Sequence, residues 1–252
     1  MRGNASSPSA GTLGAIHSSS FRPDRQCLCP RSASATGNQV PVITGPLLST
    51  HLLDKLLKRW VHAGLPLVER LQPGLDEARL SELTQAVGLE LPAEARLWWS
   101  WRNGTERAPE GGSADFRLMT PAFQFLSIEE AIESYVQSRE IVRMVGESEV
   151  GPGELDAWVD SWWPPDLFPI TKNAGTVVCD CRAPEATGTP IRWMEPSALH
   201  EGVPEPRARS FGELVTYWID AWDSGIWTYR PTEGRWHRDE SLVGPEKRLR
   251  ML

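Results

Sequence analysis

Two pairs of cysteines, Cys27/Cys29 and Cys179/Cys181, have the residue type and spacing for metal chemistry. On a strand, residues i and i+2 face the same side, so Cys179 and Cys181 can present two thiolates together, and four thiolates would complete a tetrahedral zinc site. The first pair, however, lies in a stretch rich in Ser, Gly and Pro with no apolar pattern to order it. Buried, inert strand thiols are therefore expected, and no metal site. The five histidines, His17, His51, His62, His200 and His237, are scattered without ligand spacing and read as surface or cap residues. Glu154, Asp156 and Asp160 cluster, and paired carboxylates can run acid–base chemistry. At the start of a helix they have a simpler role, facing the positive end of its dipole. Neither a GxGxxG nor a GxxxxGK[ST] phosphate loop is present, and no GxSxG elbow presents a serine nucleophile. The expectation is a non-enzymatic protein with no cofactor.

Recognition chemistry is better represented. The chain has 12 Trp against 3 Tyr, and residues of that size either fill cores or anchor contacts. Trp98, Trp99 and Trp101 point around most of a helix, and Trp162-Trp163 precede Pro164-Pro165, so Trp99 and Trp163 read as surplus to the core stripes. Charge adds direction. The net charge of -7 combines an N-terminal fifty residues at +3, from Arg2, Arg22, Arg25 and Arg31 against Asp24, with a remainder at -10. Such a body repels phosphate backbones, which excludes nucleic acid and suits a basic protein partner.

The elements that must position these residues follow from periodicity. Residues 1–45 carry too few apolar side chains to bury a face and are expected to form a disordered tail, without the apolar length of a membrane span or a signal-peptide core. The spacing then predicts a helix capped by Ser49 or Thr50, with Leu52, Leu53, Leu56, Leu57, Trp60 and Val61 on one stripe. A second helix is predicted from Asp76 to Val87. A third starts with Pro92 as its first residue and ends at Asn103-Gly104. After a loop over 107–113, short strands are predicted at Phe116 to Met119 and Phe123 to Leu126. Ser127 and Glu130 have capping-box spacing for a helix through Val136, and a further helix spans Glu154 to Trp163. Strands follow at Leu167 to Ile170, Thr176 to Cys181 and Pro190 to Met194. A helix capped by Ser210 with Glu213 comes next, then a hairpin of Ile226 to Arg230 and Arg235 to Arg238. This order is α+β, a mixed or antiparallel sheet meander flanked by helices, and not alternating βαβ. The organisation expected is a tail over 1–45, a domain over 46–224 and a hairpin extension over 225–252.

From about Leu71 to Trp222 the order of motifs resembles the Smi/Knr family of the SUKH superfamily. The resemblance rests on Leu71, Pro73, Gly74 and Leu75 leading into a helix, and on Leu91-Pro92 before a helix ending in Asn103-Gly104. It continues through the run Phe125 to Glu130, Phe168-Pro169-Ile170, a Gly175-led strand, Gly188 to Trp193 and Ser210-Phe211. The family usually has an Asp directly after that strand's Gly and another a few residues on; here Thr176 takes the first place and Asp180 offers the second. The resemblance implies a protein-binding domain in the cytoplasm, and in bacteria an immunity factor that neutralises a cognate toxin. The other role it implies is a housekeeping scaffold or regulatory module with several endogenous partners. The expected partner contacts are Trp99, Asn103, Trp162, Trp163 and Asp180, and the expected partner is a protein, in the immunity case a basic toxin domain.

Overall fold

Ser49 caps the first helix with its side-chain oxygen, which accepts from the Leu52 amide at 3.3 Å. Helix α1 (Thr50–His62) buries Leu53, Leu56 and Trp60. Val61, expected on the same stripe, is 58% exposed, because one residue past Trp60 the helix has turned by about 100°. The computed structural model describes residues 45–107, 115–173, 175–184, 186–194 and 203–243. The expected tail up to residue 44, with Cys27, Cys29 and His17, lies outside the described residues, as do His200 and most of the loop expected over 107–113.

Helix α2 (Glu77–Gln85) is capped by Asp76, and α3 (Ala93–Trp101) follows with Pro92 at the cap position and not as the first helical residue. A two-stranded ribbon that periodicity does not reveal, β1 (Leu71–Pro73) against β2 (Arg102–Thr105), brackets these helices. Asn103 and Gly104 therefore lie in a strand. Phe116 to Met119 forms no strand. A 3₁₀ turn over Asp115–Arg117 takes its place, and the chain then doubles back on itself through a Met119 amide bond to the Phe123 carbonyl and a Thr120 hydroxyl that accepts the Phe123 amide.

The main sheet is an antiparallel meander in the order β3-β4-β5-β6, with β3 (Phe123–Phe125), β4 (Leu167–Asn173), β5 (Thr176–Asp180) and β6 (Ile191–Met194). Pro169 is tolerated inside β4 because the register shifts between Pro169 and Thr171. Helix α4 (Ile128–Glu149) begins with a complete Ser127/Glu130 capping box and runs well beyond Val136. Helix α5 (Leu155–Trp162) docks on it at Gly146, where a Cβ would lie 2.5 Å from the Trp158 ring. Helix α6 (Phe211–Asp223) has half of its expected box: Ser210 accepts from the Glu213 amide, but the Glu213 carboxylate takes the Arg209 amide. The hairpin β7 (Trp227–Arg230) and β8 (Arg235–Arg238) follows, with Trp227 buried. The fold is α+β.

One buried carboxylate joins distant parts of this architecture. Glu94, in the first turn of α3, accepts from the amides of Leu48 at 2.6 Å, Thr189 at 2.6 Å, Gly212 at 3.1 Å and Phe211 at 3.3 Å. The last two are the opening amides of α6, which have no partner within their own helix and carry the positive end of its dipole. Glu94 thus fixes the segment before α1 and the approach to β6 against the start of α6.

Candidate functional site

All twelve tryptophans lie among the described residues, and every one is buried or half-buried. Trp99, expected as surplus, is fully buried: its indole meets Phe168 edge-on and its Nε1 donates to the Leu126 carbonyl at 3.2 Å. Its neighbour Trp98 packs between Phe125 and Phe211. Helix α3 is therefore covered on more than one side, which defeats a single-stripe reading. Trp163, also expected at the surface, is 7% exposed. Both are core residues, and the expectation that they face a partner is corrected. Trp162 is half-buried against Trp158, ring centroids 5.3 Å apart.

Asn103 and Asp180 are buried as well. The Asn103 side chain accepts from the Ile128 amide at 2.8 Å and donates to Glu129 at 3.0 Å, which fastens β2 to the start of α4. Gly104 beside it has φ +69, and a Cβ there would lie 2.3 Å from the Ser127 amide nitrogen. Asp180 is held between Arg182 and Arg192, with Arg182 Nε at 2.8 Å and Arg192 Nε at 2.9 Å. Burial pushes its carboxyl upward, and the bonds from Arg182 and Arg192 outweigh that, leaving its pKa below the ordinary carboxylate value. The five expected contacts do not form one surface: two serve the core, two are internal fasteners, and only Trp162 reaches solvent in part.

The other candidate chemistries are similarly occupied. Cys179 and Cys181 are buried free thiols with sulfurs 3.8 Å apart, and burial, followed by the bond with Cys181, pushes the Cys179 thiol well up. No group of three or more His, Cys, Asp or Glu that could hold a metal occurs among the described residues. Asp156 and Asp160 cross to α4, pairing with Arg143 at 2.7 Å and Arg139 at 2.6 Å. They tie two helices together, beyond any role at a helix dipole.

Open bonding capacity gathers elsewhere, in a cleft of about 360 Å³ between the first three turns of α4 and strands β3 and β4. One wall is laced by ion pairs. The buried Arg117 donates from Nε to Thr105 at 3.0 Å and from its terminal nitrogen to Glu130, and Arg107 reaches Glu133 at 2.6 Å and Glu130 at 3.5 Å. The other wall presents Gln124 from β3, Lys172 from β4, and Ser134 and Gln137 from α4, whose side chains have no hydrogen-bond partner among the described residues. Three cations face two carboxylates, so the cleft is locally positive inside an acidic body.

The stripe of α4 that lines the cleft continues past it. Steps of three and four residues lead from Glu130, Glu133, Ser134 and Gln137 to Ile141, Met144 and Val145. These last three are 56%, 59% and 38% exposed. The sequence carried a signal for this ridge, an i, i+3, i+4 apolar triplet on a helix, but a reading that ends the helix at Val136 leaves it out.

A family model, SMI1 / KNR4 family (SUKH-1), matches residues 74–216. The chain belongs to the SMI1 / KNR4 family. No curated protein matches the chain. The matched stretch of this SUKH-1 domain contains the whole main sheet, the cleft, the ridge and Glu94, whereas α1 and the terminal hairpin lie outside it. No helix among the described residues is long and apolar enough to cross a membrane.

Proposed function

We propose that this SUKH-1 protein is a non-enzymatic, cytoplasmic protein-binding domain of the immunity type, which neutralises a cognate toxin by covering it. The observation that carries the reading is the division of its polar groups. The buried acids Glu94 and Asp180 are bonded inside the fold, while an open cleft and an apolar ridge share one outward helix face. Surfaces of that mixed kind recognise proteins. The acidic body supports a basic partner, because opposite net charge raises the rate of encounter. Trp162 is a further contact in this reading. The test is affinity purification with partner identification, followed by co-expression of this chain with the captured protein. Recovery of growth from a toxic partner supports the proposal; a captured set of several non-toxic endogenous proteins, or no partner at all, ends it.

A further inference from the structure

The outward stripe of α4 has two unlike halves, a positive polar cleft and an apolar ridge, and their separation along one helix specifies what can cover both. From Ser134 to Ile141 the helix advances about 10 Å, and to Val145 about 16 Å. A straight partner segment spanning that distance must carry an acidic group at one end and apolar side chains two to three turns away. We propose that this face docks an amphipathic helix of a partner protein, its carboxylate seated on Lys172 and its apolar residues on Ile141, Met144 and Val145. The inference rests on the protein-binding reading above and adds the surface and the chemistry of what lies on it.

Charge complementarity selects the occupant. The Lys172 ammonium has no partner among the described residues, whereas Arg107 and Arg117 are already paired with Glu133 and Glu130. A carboxylate entering the cleft gains the free ammonium, with the Gln124 and Gln137 amides and the Ser134 hydroxyl as further donors. A partner lysine would find each cleft carboxylate already facing an arginine, and an unpaired ammonium beside them. The two electrostatic effects act at different ranges. The acidic body draws in a partner that is basic overall, and the local cation fixes the register of the helix that finally docks.

A helix-forming alanine-based peptide of about 18 residues, with one Glu and three Leu two to three turns from it, is the probe, made in both sequence directions. Titrated into the full chain at low salt, it is expected to shift the side-chain amide signals of Gln124 and Gln137 and the methyl signal of Met144. Replacing its Glu by Lys, or introducing Lys172→Glu or Ile141→Ser in the protein, is expected to weaken binding about tenfold or more. Absence of those shifts, equal binding of the Lys peptide, or indifference to Lys172→Glu overturns the inference. So does a dimer of this chain in which Met144 is already covered, which would assign the face to a second copy. A partner captured equally well by wild type and Lys172→Glu sinks this inference alone; failure to capture any partner sinks the earlier reading while the peptide titration still decides this one.

Discussion

Glu94 and Glu130 both stand in the first turn of their helices, and they are used in opposite ways. Glu94 ignores its own helix and takes four amides from three distant segments, deep in the interior. Glu130 serves its own helix start, accepting the Ser127 amide, and pairs with Arg117 at the wall of an open cleft. The first carboxylate organises the fold and has nothing left to offer a ligand. The second holds Arg117 at one wall of a cleft, while Lys172, Gln124, Ser134 and Gln137 on the other wall keep unpaired groups that can bind. Polar residues of the same type thus divide by where their partners lie, and interior and outer face should respond differently to substitution.

The interior side of that contrast predicts the largest losses. Glu94→Gln replaces an acceptor oxygen with a donor facing backbone N–H groups, and should cost about 5 kcal/mol of unfolding free energy in urea titration. Loss of under about 1 kcal/mol would mean that the four amides find other partners. Trp163→Ala should cost about 4 kcal/mol by the same measurement, as expected for emptying a buried indole site; an unchanged midpoint with weakened partner binding would return Trp163 to the surface. Asp180→Asn should cost about 3 kcal/mol at neutral pH, because it removes the charge that faces the buried Arg192 guanidinium. Its pH dependence has a definite sign. The folded-state pKa lies below the unfolded value of about 3.9, so the stabilisation is complete above about pH 4 and is lost as pH falls through the folded value. Melting curves of wild type and variant should therefore converge below about pH 4, and a gap that widens in acid would contradict the assignment. The outer face predicts the smallest effect: Ile141→Ser should change stability by less than about 0.5 kcal/mol. A larger loss would move Ile141 into the interior and erase the contrast.

What the sequence disclosed follows the same division. The Ser127/Glu130 box, the start of α2 near Asp76 and the runs that form β4, β5 and β6 were legible because their determinants are local, a few residues apart or repeating along one element. The role of Glu94 was not, since its partners lie 46 to 118 residues away and are backbone amides that carry no sequence signature. Trp99 was misread for a related reason: a helical stripe identifies one buried face, whereas α3 is enclosed by Phe168 on one side and by Phe125 and Phe211 near Trp98 on another. The cleft needed the pairing of β3 with β4 to bring Gln124 opposite Lys172, and a register is invisible until the strands are paired.

The Glu94 clasp also bears on how the chain matures. During synthesis the carboxylate leaves the ribosome long before its last two donors, which are 117 and 118 residues downstream. Until they arrive it must stay hydrated, because burial without those amides would be costly. The hydrophobic side of α3 consequently cannot close over it early, and the final packing waits for the α6 start. Contacts of that sequence separation slow folding and favour a single concerted closure over stepwise growth from the amino end. A nascent chain halted before Phe211 would be left with an open core.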